Sequence, residues 1–430
     1  MPSQGLSRRS LLRNCSLLLT CQGWPFQRNP PSESGFPTTF CRFERPDEKP
    51  ISARNALQDL PSAQQAALCS TYLRWAKSRA YWGKTEQKKL HFYSGGNPWL
   101  IHTGSAPPFF LVWHRAFLYF HEKALAYAAL NPSNPNFRLP FWNWDSPDYL
   151  LPPPFCRPAP GTDPNVNPFN SSLNWPAING LSIPSIEELV SMPSDDFLLH
   201  LLCCHAEFHT RLGDDMTDPI GSAQDPIFYP FHANFDRLWY AYQQYGPKTG
   251  QFQLDNLGRM LFFDVRTANS ESKGWVIAEP GDFADCGKLG YTYNVPQPSL
   301  TYHIDAIPGG PAPSADAVRS YISNSRPPKP GTRRQIALYD IALPESKEPV
   351  EWQLSVKGMG APVVKKFMSH MAHDDKQHTS KTFPCLLVDV TQNVGLEDFV
   401  KKNVSLSLAR NGESPINLKA RIVFQIWTPK

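Results

Sequence analysis

The sequence has no long hydrophobic run, few charged residues and no Cys-x-x-Cys pair. Because no run reaches about 18 apolar residues, we expect no membrane span. Charged residues make up 19% of the 430 residues and the net charge is +4, without a lysine or arginine stripe, so no nucleic-acid partner is expected. None of the nine cysteines forms a Cys-x-x-Cys pair, which argues against a thiolate zinc site.

Apolar residues are sufficient for a sizeable core. Hydrophobic residues account for 41% of the chain and aromatic residues for 12%. The length allows two domains, or one large domain with additions. The adjacent Cys203 and Cys204 lie in an apolar helical stretch, which predicts buried and unreactive thiols.

The N-terminus has the pattern of an export leader. Residues 7–13 read Ser-Arg-Arg-Ser-Leu-Leu-Arg, which resembles a twin-arginine signal, and a short apolar run follows at residues 17–20. We therefore interpret residues 1–35 as a leader and spacer. The predicted destination is the periplasm or the outside of the cell, with the thylakoid lumen as the alternative.

Periodicity divides the rest of the chain into a helical part and a β-rich part. Helical spacing predicts helices near residues 62–80, 110–129, 186–190, 195–211 and 231–244, whereas residues 84–108 are predicted to be a loop. A linker rich in proline, glycine and serine then precedes short apolar segments over residues 335–429. These alternating segments are typical of a small antiparallel β domain.

Two sets of histidines are candidates for metal binding. His205 and His209 are four residues apart, so a helix places both on one face, and His232 opens the next predicted helix. Ala206 stands where the zinc-protease motif HExxH requires glutamate, so that interpretation is weak. An upstream set comprises His91, His102 and His114.

Ligation by histidine alone favours copper or zinc. Two such sites facing each other would leave open positions between the metals. A redox-active pair there could share one dioxygen molecule, which zinc could not reduce.

Several motifs together resemble one known family. They are FFLVWHRAFLYFHE around His114, RLPFWNWDSP at 138–147, HAEFH, DPIFYPFHANFDRLW at 225–239, and the Tyr-x-Tyr mark of Tyr291-Thr292-Tyr293. The chain is identified as resembling the plant-type polyphenol oxidases (tyrosinases and catechol oxidases), which are type-3 dicopper proteins. The resemblance covers nearly all of the chain after the leader.

The resemblance implies a fold and domain boundaries. The expected fold is a mainly α catalytic domain, with a four-helix bundle holding a dicopper centre and long irregular loops, plus a C-terminal antiparallel β domain. The catalytic domain would span residues 36–296, the linker 297–332 and the β domain 333–430. In latent members of the family the β domain covers the active site.

The resemblance also implies the ligands of two copper ions, with O2 as co-substrate. His205, His209 and His232 would hold one copper (CuB), and His91, His102 and His114 the other (CuA). The family spacing for the middle CuA ligand falls on Ser105, so His102 serves only if the loop carries a small insertion.

Residues around CuB give expectations for specificity. Leu201 replaces the family's water-holding glutamate, and Ala206 stands where asparagine would favour phenol deprotonation. Both changes predict weak hydroxylation of monophenols, while oxidation of o-diphenols to o-quinones survives. Phe228 and Phe231 are candidates for the pocket wall. Asp236 is interpreted as a buried structural partner, either paired with Arg237 or anchoring His232.

The expected partners are a small phenolic substrate and a processing protease. Because the β domain would cover the active site, the enzyme would be latent until the protease cuts the linker and the β domain is displaced. Two alternatives remain open. One is a hemocyanin-like carrier that binds O2, and the other is a copper-depleted homologue without catalysis.

Overall fold

A computed structural model gives the architecture. It describes residues 40–45, 51–93, 107–129, 137–146, 184–212, 214–217, 221–247, 252, 254, 257–268, 274–300, 302–308, 330–344, 350–358, 362–369, 382–402, 404–410 and 413–429.

Helices dominate the first part of the described chain. They are α1 (Ser62–Lys77), α2 (Lys84–Tyr93), α3 (Pro107–Ala128), α4 (Ile186–Ser191), α5 (Ser194–Leu212) and α6 (Phe228–Tyr245). Apolar residues surround α3 on nearly all sides, and almost the whole helix is buried. Helix α4 begins with a capping box in which Ser185 and Glu188 bond each other's backbone N–H groups. No helix in the described ranges is long and apolar enough to cross a membrane.

Helix α2 corrects a sequence prediction, because residues 84–93 were expected to form a loop. The helix is amphipathic with a narrow buried face, made of Gln87, Leu90 and His91. Most of its other residues are polar, so the apolar periodicity is too weak to detect in the sequence. This helix carries His91, and α3, α5 and α6 carry the other candidate ligands that the structure describes.

Two small sheets join distant parts of the helical region. In the first, β1 (Cys41–Arg42) pairs in parallel with β4 (Trp275–Ala278), which pairs antiparallel with β3 (Met260–Phe263). In the second, β2 (Ser52–Arg54) pairs in parallel with β5 (Tyr291–Tyr293). The Tyr-x-Tyr mark therefore lies beside a strand more than 230 residues earlier in the chain.

The C-terminal part consists of antiparallel strands, as predicted. They are β6 (Tyr302–Pro308), β7 (Arg333–Ala342), β8 (Val350–Lys357), β9 (Val363–Ser369), β10 (Thr382–Asp389), β11 (Ser405–Arg410) and β12 (Arg421–Pro429), with a short helix α7 (Leu396–Val400). One sheet has the order β10-β7-β12-β6 and another β11-β8-β9. Their shared core includes Ile336, Leu354, Trp352 and Phe424. Strand β6 lies inside the segment expected to be linker.

The strands pack directly against α4 and α5. Glu188 forms an ion pair with Arg333 on β7, and Glu207 lies 3.6 Å from Lys365 Nζ on β9. Arg211 Nη2 donates to the Lys366 carbonyl at 2.5 Å. The helix that carries two candidate metal ligands is thus covered on one side by the β-rich part.

The prediction for the adjacent cysteines is confirmed for Cys204 and wrong for Cys203. Cys204 is a buried free thiol, and burial raises its pKa, so it is unreactive as expected. Cys203 is buried as well, but it is part of a disulfide bond. Adjacent residues on a helix point in different directions, so two neighbouring thiols need not share one environment.

His200 gives the contact between α5 and the strands a pH dependence. It is buried near Trp427 on β12, with ring centroids 6.1 Å apart, and burial lowers its pKa to about 4. The unfolded chain takes up a proton near pH 6.5 and the folded chain does not. Stability contributed by the neutral ring is therefore lost as the pH falls from 6.5 towards 4.

We predict that His200→Gln removes about 2 kcal/mol of the stability difference between pH 7 and pH 5. Denaturant unfolding of both proteins at the two pH values measures this. An unchanged difference in the variant would contradict the assignment.

Candidate metal centre

Three buried histidines form a compact group. His205 and His209 lie one turn apart on α5, and His232 lies in the first turns of α6. One nitrogen from each ring lies within 4.8 Å of the others. The Nε2 atoms of His205 and His232 are 3.1 Å apart. Tetrahedral ligands with bonds of about 2.0–2.1 Å hold their nitrogens roughly 3.3 Å apart, so the spacing fits one metal ion.

Backbone contacts orient these rings. His232 Nδ1 lies 2.8 Å from the Phe228 carbonyl, and His209 Nδ1 lies 2.7 Å from the Met216 carbonyl. On α3, His114 Nδ1 lies 2.8 Å from the Phe110 carbonyl. A carbonyl only accepts, so each Nδ1 carries the hydrogen and each Nε2 keeps its lone pair for a metal.

Burial favours the neutral form of two of these rings, His114 and His232, and neutral imidazole is the form that binds metals. Burial lowers the pKa of His114 to about 3 and, with His114 and His209 nearby, lowers that of His232 well below its usual value. No proton then competes with a metal for these nitrogens near neutral pH.

The described members of the upstream set adjoin this group. The rings of His91 and His114 lie 5.9 Å apart. The His114 ring stacks on His232 with centroids 4.5 Å apart and planes at 11°. His102 lies outside the described residues. The structure therefore brings five of the six predicted ligands into one cluster.

Phenylalanines surround the histidines. Phe228 stacks on His232 with ring centroids 3.9 Å apart, and it also contacts His91. The ring centroids of Phe231 and His209 are 5.3 Å apart. Phe110, which the sequence did not single out, lies 4.6 Å from His114 and 4.8 Å from His205. Leu201 and Ala206 are both buried on α5. The surroundings are apolar and aromatic.

Two further buried histidines do not join the cluster. His121 stacks on Tyr229 with centroids 3.3 Å apart, and its Nε2 lies 3.3 Å from the Tyr72 hydroxyl. His200 faces Trp427. Both have packing roles, as their positions along the helices indicate.

Asp236 is the centre of a buried polar network. It lies four residues after His232, and four donors reach its carboxylate. They are Arg115 Nε at 2.5 Å, Arg54 Nη1 at 3.2 Å, and the hydroxyls of Tyr291 and Tyr293, both at 2.7 Å. Burial would raise the pKa of Asp236, but Arg115 and Arg54 hold it below its usual value. The carboxylate therefore stays charged.

The network extends to Glu122 on α3. Its carboxylate accepts from Arg54 Nε at 3.0 Å, from Arg138 Nη1 at 3.4 Å and from the Leu139 N–H at 2.9 Å. The guanidinium of Arg54 lies over the Tyr291 ring, 3.7 Å from its centroid. The network thus joins α3, α6 and the second small sheet.

Asp236 and Arg237 do not pair with each other. Arg237 bonds Asp145 at 3.0 Å instead. No sequence pattern predicted Arg54, Arg115 or Glu122 as members of the network around Asp236. The available signal was the presence of Arg115 and Glu122 inside an otherwise apolar helix, where charged residues are rarely buried without partners.

Residues 70–180 and 182–245 match the common central domain of tyrosinase. Polyphenol oxidase A1 of Vicia faba is 27% identical over 316 residues, covering 61% of this chain and 51% of the relative. Catechol oxidase B of Solanum tuberosum is 25% identical over 233 residues, covering 44% of this chain and 38% of the relative. The chain spans about half or less of the length of these relatives.

Solved structures show the fold. A latent aurone synthase (polyphenol oxidase) has a TM-score of 0.54 at 15% identity, covering 91% of this chain and 88% of that chain. A functional unit of octopus hemocyanin has a TM-score of 0.51 at 13% identity, covering 87% and 99%.

The histidine cluster lies within the residues that match the common central domain of tyrosinase. The chain is therefore similar to the plant polyphenol oxidases, and its fold is similar to theirs over most of its length. Copper suits the donor set, since neutral imidazoles bind it well.

We predict that Asp236→Asn lowers the free energy of unfolding by about 3–5 kcal/mol, because it leaves two buried guanidinium groups without their shared carboxylate. Asp264→Asn is the matched control. Asp264 is also buried, but it bonds the half-exposed Arg266 and caps its N–H, which asparagine still does. Its expected loss is below about 1 kcal/mol. Equal losses in urea unfolding would contradict the role of Asp236.

Proposed function

We propose that this protein is a dicopper oxidase that converts o-diphenols to o-quinones with O2. The observation that carries the proposal is the stacking of His114 on His232, which brings His91 and His114 against the His205–His209–His232 group. Two metal ions held there would be close neighbours. Each diphenol gives up two electrons and two protons, so two diphenols reduce one O2 to two waters.

The proposed ligand sets are those of the sequence prediction. His205, His209 and His232 hold CuB, while His91, His114 and His102 hold CuA. In this proposal the four helices that carry the described ligands form a bundle around the two ions. Bound copper supplies the one-electron redox changes that a diphenol and O2 need. Burial favours the neutral form of His114 and His232, and backbone carbonyls orient His114, His209 and His232. The surrounding phenylalanines would exclude water from the site.

Diphenols are the preferred substrates in this proposal. Leu201 and Ala206 supply neither a carboxylate nor an amide to hold a water beside CuB. A monophenol must lose its less acidic proton before it reacts, and this step lacks assistance there. The aromatic surroundings favour a small phenol ring.

The β-rich part is proposed to keep the enzyme latent. Its strands cover α5 through the Glu207–Lys365 and Arg211–Lys366 contacts. One structural neighbour is a latent polyphenol oxidase of the same fold. A cut in the predicted linker at residues 297–332 would release the strands.

The leader is proposed to direct the protein to a plastid. Relatives named chloroplastic support a plastid-directed leader over a periplasmic one.

The likeness to hemocyanin keeps a role in O2 binding as the second candidate function. Catechol turnover separates an oxidase from an O2 carrier.

We predict two copper ions per chain in the purified protein and about one in His232→Ala, which also loses oxygen uptake with catechol. The matched control is His121→Ala, another buried histidine on a neighbouring helix, which keeps both ions because it is outside the cluster. Atomic absorption and an oxygen electrode measure the two outcomes. Two copper ions without any catechol turnover, even after proteolysis, would favour the O2 carrier.

We predict that Lys365→Glu increases catechol turnover in the uncut chain. Two carboxylates would then face each other in a buried contact, and each 1.4 kcal/mol lost there increases the open population about tenfold. Lys366→Glu is the matched control, because its ammonium group is exposed and bonds Glu351 within the β-rich part. Equal rates for wild type and Lys365→Glu would contradict latency through this contact.

A further inference from the structure

An ion pair joins the two helices whose histidines stack on each other. Arg115 directly follows His114 on α3, and Asp236 lies one turn after His232 on α6. Arg115 Nε lies 2.5 Å from Asp236 Oδ1, and both side chains are buried. The contact therefore begins one residue from a proposed CuA ligand and ends one turn from a proposed CuB ligand.

Arg115 holds α6 at more than one point. Its Nη2 donates to Gln243 Oε1 at 3.1 Å, and its guanidinium lies 3.6 Å from the centre of the Trp239 ring. Its Nη1 donates to the Ala284 carbonyl at 2.8 Å. Because Asp236, Trp239 and Gln243 follow one another along α6, the planar guanidinium fixes both the position and the rotation of that helix relative to α3.

The other groups on Asp236 do not belong to a helix that carries a proposed copper ligand. Arg54 belongs to β2, and Tyr291 and Tyr293 belong to β5. None of these strands carries a proposed copper ligand. They stabilise the carboxylate. Among its described donors, Arg115 is the one that itself lies on a helix with a proposed copper ligand, whereas Arg54 reaches that helix only through Glu122.

We propose that Arg115 is a positioning residue that sets the separation of the two copper ions. This inference rests on the proposed dicopper function. A small shift of α3 against α6 would move His114 relative to His232 and separate the two metal positions. Residues that orient metal ligands commonly change metal affinity about 10–100-fold when replaced.

The experiment compares Arg115→Gln with Arg54→Gln in the full copper-loaded chain. Each variant removes one buried arginine from Asp236. Arg115→Gln breaks the direct ion pair between α3 and α6, whereas Arg54→Gln breaks only the indirect bridge that runs through β2 to Glu122. Two adjacent Cu(II) ions that share a bridging ligand couple magnetically and give no electron paramagnetic resonance signal. We expect wild type and Arg54→Gln to be silent, and Arg115→Gln to show a Cu(II) signal together with copper loss to a chelator at about tenfold lower concentration.

Failure of the inference is distinguishable from failure of the function. A wild-type chain with fewer than two copper ions, or with a full Cu(II) signal, would contradict the dicopper function itself. A silent wild type with an equally silent Arg115→Gln would overturn the inference alone. Equal signals in Arg115→Gln and Arg54→Gln would also overturn it, since the effect would then belong to the network as a whole.

Gln243→Leu gives an independent measurement if Arg115→Gln does not fold. It removes one acceptor of Arg115 and leaves the ion pair with Asp236 in place. We expect a partial Cu(II) signal from Gln243→Leu. Arg115→Lys keeps a cation beside Asp236, so its Cu(II) signal should also lie between those of wild type and Arg115→Gln. A silent Gln243→Leu would overturn the inference.

Discussion

The buried carboxylate of Asp236 is the constraint on which the metal centre depends. Without partners, a charge in this position would cost several kcal/mol. Two arginines and two tyrosines neutralise and bond it, and these four residues come from three separate parts of the chain. Meeting the needs of one carboxylate therefore fixes α3, α6 and the β2–β5 sheet relative to one another. The positions of the histidines on α3 and α6 depend on that arrangement.

The metal ligands and the charged network have opposite electrostatic requirements. The network keeps its acids and bases ionised, because Arg54, Arg115 and Arg138 surround Glu122 and Asp236. The histidine cluster lies among phenylalanines, where burial lowers the pKa of His114 and His232 and so favours their neutral form. The two environments are one helical turn apart on α6. A short distance along one helix separates groups that hold charge from groups prepared to receive a metal.

Much of the fold and part of the site could be predicted from the sequence. Strong apolar periodicity identified α3, α5 and α6, and the four-residue spacing of His205 and His209 indicated a shared helix face. Helix α2 was missed because few of its residues are apolar. The partners of Asp236 were missed for a different reason. Arg54 lies 182 residues from Asp236, and no local pattern encodes a contact at that separation. The disulfide of Cys203 likewise depends on tertiary structure.

The central claim is that two copper ions lie side by side between α3 and α6. The most direct test is a crystal structure of the copper-loaded chain with anomalous data collected at the copper edge. We predict two anomalous peaks within about 4 Å of each other. One peak should lie between the Nε2 atoms of His205, His209 and His232, within bonding distance of each. The other peak should lie beside His91 and His114. A single peak, or two peaks far apart, would contradict the account.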